Sequence, residues 1–185
     1  MHTQLRKFEE YAYVLDFKSR GNSSTVRGRV GIIVTAIGED RLTLLEILGL
    51  ENSTFDVGER IYIGKEGRTK VQSVLGKIDY AKISDAAQSE IPGVVEYIII
   101  KNEKRFVDYL NNAQSLTPRI HALELIPGIG KTYMHVLIQE REKKPFESFS
   151  DIENRTRLKE PMKHISKRIL EEISGETRMN LFVKR

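Results

Sequence analysis

The sequence predicts an α+β protein: a small five-stranded barrel in the N-terminal half, followed by an all-helical part. Two observations carry this. Between Tyr11 and Asp79, short runs rich in β-branched and aromatic residues alternate with Gly- and Asp-containing turns. From Ser84 onward the apolar residues recur at helical spacing instead. With 185 residues, 39% of them hydrophobic and 30% charged, the chain has room for one medium domain or two small ones under a heavily ionic surface.

The strands follow in order. Tyr11 to Phe17 is dense in β-formers, and a polar loop from Lys18 to Gly28 separates it from Arg29–Ile37, which contains Val30, Ile32, Ile33, Val34 and Ile37. Gly38-Glu39-Asp40 reads as a turn before Arg41–Leu50, and Asp56-Val57-Gly58-Glu59 as a turn before Arg60–Gly64. After Lys65 to Arg68, a fifth strand fits Thr69–Asp79. A closed or partly open barrel of five short strands is OB-like. In such a barrel, the loop between the first two strands is one of the places where oligonucleotides bind.

The helices follow. Ser84 is placed to cap a helix over Asp85–Ile91 that Pro92-Gly93 should break. Val94, Val95, Ile98 and Ile99 then keep one helical face, and Phe106, Val107 and Leu110 continue a stripe to Asn112. Thr117-Pro118 has the pattern of a cap followed by a first-turn proline, for a helix reaching Leu125 or Ile126. The expected division is therefore a barrel over 1–83, a helical connector over 84–116 and a helical domain over 117–185.

The most informative stretch is Ile126-Pro127-Gly128-Ile129-Gly130-Lys131-Thr132. Pro127 cannot continue a helix, and glycines at 128 and 130 permit backbone angles that a Cβ opposes. Their small size also admits an anion close to the main chain, while Ile129 can plug the space between flanking helices. The helix that leaves offers unpaired N–H groups and the positive end of its dipole, and Lys131 adds a charge. The segment resembles the helix-hairpin-helix modules of nucleic-acid-binding proteins. By that resemblance, the backbone around Gly128, Gly130, Lys131 and Thr132 holds a phosphate. Met134 departs from the small residue common in the second helix of such modules. Gly130-Lys131-Thr132 also matches the tail of a P-loop, but Leu125 stands where that motif needs glycine, and a helix rather than a strand is expected before it.

A degenerate second copy follows. Ser150 is a candidate cap for a short helix over Asp151–Arg155, Arg157 to Met162 is a second turn, and Lys163–Ile173 is amphipathic, with Ile165, Ile169, Leu170 and Ile173 on one face. Lys159, Lys163, Lys167 and Arg168 supply positive charge, but the glycines are missing. This copy either grips a second backbone segment or serves as packing.

The order of elements is similar to that of an uncharacterised archaeal family of predicted RNA- or nucleic-acid-binding proteins. The resemblance is carried by Val57-Gly58-Glu59-Arg60-Ile61-Tyr62-Ile63-Gly64, Lys104-Arg105-Phe106-Val107, Leu123 to Lys131, and Glu140-Arg141 to Asp151-Ile152. It implies an OB-like part before a helix-hairpin-helix part, and a role near transcription or translation with RNA favoured over DNA.

The charge distribution points the same way. Net charge is +4, and basic and acidic residues balance at 16 each up to Thr117, so the excess of 14 over 10 lies beyond it. Arg20 and Arg27 belong to a loop of four cations and no acids over Lys18–Arg29, which is either a mobile phosphate-contacting arm or a solvated hairpin. Arg60 and Tyr62 lie in a second basic cluster, Tyr62 serving either for base stacking or as a packing residue.

Other classes are disfavoured. Without cysteine there is no disulfide, thiolate–metal centre or thiol nucleophile. His2, His121, His135 and His164 show no metal spacing, so neither metal nor cofactor is expected. The start, Met1 to Phe8, lacks the apolar core of a signal peptide, and Tyr11–Leu15 is too short to span a membrane. The expectation is a cytoplasmic, non-enzymatic nucleic-acid-binding protein. The alternatives are a duplex-DNA repair or recombination accessory and a protein–protein adaptor.

Overall fold

The computed structural model describes residues 8–185; the reading of the first seven residues lies outside them. The protein is α+β. It packs as two units, one holding the described residues up to Val94 together with Glu172–Arg185, the other Val95–Glu171.

The first unit is built on a curled antiparallel sheet of five strands, β1 Tyr11–Asn22, β2 Val30–Gly38, β3 Leu44–Gly49, β4 Arg60–Tyr62 and β5 Val71–Lys77, in the order β4-β1-β2-β3-β5. Strand β1 is long enough to pair with β2 along its length and with β4 at its start, Tyr11 facing Tyr62 and Phe17 facing Val34. Two irregularities, between Val14 and Asp16 and between Lys18 and Gly21, bend it. One face of the sheet packs Ala12, Val14, Val34, Ala36, Leu45, Ile47, Ile61 and Val71 around Phe55. Tyr13, Leu15 and Ile37, on the other face, are buried as well. The expected loop from Lys18 is therefore shorter, because β1 runs on to Asn22 and carries Lys18 and Arg20 as strand residues.

Between β4 and β5 the ladder is replaced by one side chain. The Arg68 guanidinium donates to the carbonyls of Ile63 (3.1 Å), Gly64 (2.6 Å) and Gln72 (3.1 Å). Three buried glutamates fasten loops in the same unit. Glu9 accepts from the N–H groups of Asp40 (2.9 Å) and Arg41 (2.5 Å). Glu46 collects Ser24 N, Thr25 N and the hydroxyls of Ser23 and Thr25, and Glu172 accepts from Leu181, Phe182 and Val183 N–H. The C-terminal residues thus return to the sheet, where Lys184 N bonds Arg41 O at 2.9 Å, a return that the sequence pattern does not signal.

Helix α1, Asp85–Lys101, passes through Pro92 without the expected break. Its continuous apolar face, Ala87, Ile91, Val94, Val95, Ile98 and Ile99, is buried at every position. At roughly 1.5–3 kcal/mol for each large side chain buried, that face outweighs the roughly 3 kcal/mol cost of one interior proline. Ser84 caps it as expected, accepting from Ala87 N at 3.0 Å while donating to Asp16 Oδ2 at 2.5 Å. Helix α2, Glu103–Asn112, buries Phe106, Val107 and Leu110.

Beyond α2 the predicted helix over Pro118–Leu125 is absent. Instead β6 Ser115–Thr117 pairs with β7 Ile120–His121, and a single 3-10 turn occupies Ala122–Leu125. Thr117 caused the misreading: its hydroxyl accepts from Arg119 and Ile120 N–H, closing a turn rather than opening a helix. The true cap is His121, whose Nδ1 accepts from Leu123 N at 3.1 Å while Glu124 accepts from His121 N at 2.9 Å. Burial and the Arg141 charge hold His121 below its usual pKa against the pull of Glu124, in keeping with a neutral, accepting ring nitrogen. Three further helices complete the second unit: α3 Lys131–Lys143, α4 Phe149–Thr156 and α5 Pro161–Ile173. Helix α4 begins two residues earlier than expected, capped by Ser148 and not Ser150.

Candidate functional site

Pro127 and Gly128 are the middle residues of a tight turn. Ile129 N bonds Ile126 O at 2.9 Å, and Gly128 has φ +83°. Proline second and a positive-φ glycine third is the chemistry of a type II turn. Leu123, Ile126 and Ile129, each 2% exposed or less, anchor it from below. The turn delivers the chain to α3, whose N-cap is Gly130 (φ −76°, ψ −175°) with no side-chain cap. Met134 N is bonded to Gly130 O, so the N–H groups just ahead of it lack an intrahelical acceptor. Gly130, Lys131 and Thr132 are exposed.

The two glycines divide the work expected of them. The space a Gly128 Cβ would take is filled by the His164 ring of α5 and is not open to a ligand. Gly130 has an ordinary φ, and nothing lies within 4 Å of where its Cβ would be. The open approach to the main chain is therefore at Gly130, at the uncapped start of α3.

The second turn, without glycine, reaches comparable backbone angles. Arg157 ends α4 at φ 63° and Glu160 precedes α5 at φ 48°. Leu158 is buried between them, and Pro161 stands first in α5. His164 ties the two turns together: Nδ1 lies 2.8 Å from Pro127 O and Nε2 lies 3.1 Å from Lys159 O. Arg168 is not surface charge, as the sequence suggested. It is 7% exposed and donates to Leu125 O at 3.1 Å.

The cations sort themselves by partner. Lys131, Lys159 and Lys167 are exposed and, with Arg157, have no ion pair or side-chain hydrogen bond among the described residues. Lys163 is paired with Glu96 at 2.8 Å, which raises its pKa. Sequence reasoning missed Arg157 because nothing marks it as the residue that turns the chain. It missed His164 because the ring's partners are backbone carbonyls.

In the first unit, Arg20 and Arg27 are exposed, and with Lys18 and Arg29 they too have no such partner among the described residues. The loop that carries Arg27 is pinned at its base, not mobile there, by the Glu46 carboxylate. Burial pushes that carboxyl up, and the hydrogen bonds from Ser23, Ser24 and Thr25 outweigh it, so its pKa lies below the ordinary 4.5. Arg60 is engaged, with Nε and one terminal nitrogen on Glu39 at 3.1 and 2.9 Å and its guanidinium 3.5 Å above the Tyr11 ring. Tyr62 packs edge-on against Tyr11 at 5.4 Å and lines a cavity of about 710 Å³ with Phe8, Leu45, Val74 and Lys77. No group of three or more His, Asp or Glu among the described residues is arranged to hold a metal, and no helix among them is long and apolar enough to cross a membrane.

Over residues 8–184 the chain matches the family described as "Protein of unknown function (DUF655)". It belongs to this family. The DUF655 chain is 40% identical over 181 residues to "Uncharacterized protein MJ0038" of Methanocaldococcus jannaschii, covering 97% of itself and 82% of that protein. It is also similar to the crystal structure of Af1531 from Archaeoglobus fulgidus, at 40% identity and TM-score 0.82, covering 95% of this chain and all of that one.

Proposed function

We propose that this protein binds nucleic acid without catalysis, in the cytoplasm, gripping a backbone phosphate at the start of α3. The observation that carries the reading is the exposed, uncapped α3 N-terminus at Gly130–Thr132, with open space at Gly130 and the unpartnered Lys131 beside it. Lys159 and Lys167 join it as unpartnered cations of the second turn and α5. Such contacts read backbone and not bases. The helix-hairpin-helix reading takes the 3-10 turn at Ala122–Leu125 as a shortened first helix. The OB-like reading takes the curled sheet as a barrel open between β4 and β5. Its first loop, with Arg27 beside the strand residue Arg20, is then a second contact surface. Arg60 and Tyr62 are secondary contributors, because each already has a partner within the sheet. RNA is favoured over DNA on the family resemblance.

The test is a binding titration at several salt concentrations, with structured RNA, single strands and duplex DNA in competition. The expected result is preferential RNA binding that weakens steeply with salt. Preference for duplex DNA supports a repair or recombination accessory instead. No binding at low salt ends the nucleic-acid reading and leaves the adaptor.

A further inference from the structure

From the geometry at His164, and resting on the proposed phosphate site, we infer that this ring is a proton-dependent bolt between the two turns, and that phosphate binding is coupled to its protonation. Both ring nitrogens face carbonyl oxygens, Pro127 O at 2.8 Å and Lys159 O at 3.1 Å. A neutral imidazole has one N–H and can satisfy one of them; the doubly protonated ring donates to both. The ring is seated for this task. It occupies the space that a Gly128 side chain would need, so that the turn preceding the phosphate site is packed directly on it.

The charged groups on the elements around the ring are Glu124 before the first turn and Lys131 beyond it, Glu153, Arg157, Lys159 and Glu160 at the second, and Lys163, Lys167, Arg168, Glu171 and Glu172 on α5. Lys163 is engaged by Glu96, and Glu153 accepts from the Glu160 N–H. A polyanion held at the start of α3 attracts an imidazolium in this ring. Binding a phosphate backbone therefore favours taking up a proton at His164. Protonation in turn fixes the turn that presents the α3 N-terminus. A proton taken up together with the phosphate makes affinity strengthen as pH falls. For uptake of one proton, the limit is about tenfold in affinity per pH unit. His164 is a positioning residue here, acting on the phosphate site through the two turns.

Two measurements test the bolt. The first uses the free full-length protein: the ring nitrogens of His164 are followed by NMR between pH 8 and 5.5, assigned with a His164→Gln variant. Two N–H groups at the acidic end are expected, with exchange of the Gly128 and Ile129 amides slowed beyond the fall that base-catalysed exchange shows with pH by itself. A ring with one N–H throughout, or exchange indifferent to its charge, overturns the inference. The second is affinity for a structured RNA oligonucleotide at pH 8 and pH 6. Wild type and His135→Gln should bind several-fold tighter at pH 6, and His164→Gln should lose most of that gain. An undiminished gain in His164→Gln also overturns it. If nothing binds at either pH, the proposed function fails with the coupling, while the ring spectrum still decides on the bolt. If His164→Gln does not fold, the wild-type spectrum, with the other histidines assigned by substitution, decides between one N–H and two.

Discussion

The two turns of the second unit reverse the chain in similar fashion with opposite kinds of residue. The first uses Pro127 and Gly128 and leaves the main chain open at Gly130. The second uses Arg157 and Glu160, residues with long charged side chains. Each places one buried aliphatic residue next to the reversal, Ile129 in one and Leu158 in the other. What differs is the cost of the left-handed angle and the access it leaves. Glycine adopts φ near +80° freely, whereas other L-residues meet it at about 1–2 kcal/mol. The first turn thus has a strain-free backbone that an anion can approach, and the second tolerates strain in exchange for charge.

The sharpest break of this comparison is Gly128→Ala. It combines left-handed strain with a collision on the His164 ring, and should lower stability by more than about 2 kcal/mol in urea unfolding. A loss under about 0.5 kcal/mol would mean that the ring does not occupy that space. Next comes charge reversal: Lys131→Glu should weaken RNA binding by at least about 1 kcal/mol, roughly fivefold. Lys159→Glu measures the second turn on the same scale. Equal losses would make the turns functional equals, and an unchanged affinity would assign the second one to packing.

A smaller effect of opposite sign is expected at Arg157→Gly. Relieving the left-handed position should raise the urea midpoint by up to about 1 kcal/mol of stability, and a destabilised variant would refute the strain argument. The smallest change in fold is Gly130→Ala. Its φ suits alanine, and its stability should stay within about 1 kcal/mol of wild type. Its RNA affinity should nevertheless fall, because the methyl group fills the open approach to α3. An unaltered affinity would move the phosphate elsewhere.

Much of the fold was legible because burial writes a period into the sequence. The runs around Val14, Ile33, Leu45 and Val71 mark their strands, and Val94 to Ile99 mark a helix. The turn at Pro127-Gly128 was legible because proline and glycine have few other uses side by side. The segment before it was not: Leu123, Ile126 and Ile129, spaced by three, suit an α-helix and a 3-10 turn alike. Pro92 misled because local propensity carries no knowledge of how much apolar surface the continuous helix buries. The site was half visible. Lys131, Lys159 and Lys167 were named, but a lysine's free or paired state depends on neighbours such as Glu96 that are remote in sequence from Lys163. Glu9, Glu46 and Glu172 look like any surface glutamate until loops close around them, and His164 speaks only to carbonyls, one of them 37 residues away.

Arg68 carries a consequence for how the protein survives in a crowded solution. Strands β4 and β5 end the sheet, and an uncovered strand edge is a template on which another chain can add itself. By taking up three carbonyls along that gap, one guanidinium denies them to an incoming strand and works as a built-in guard against self-assembly. Its five donors in a rigid fork suit the task, and a lysine would leave part of the edge on offer.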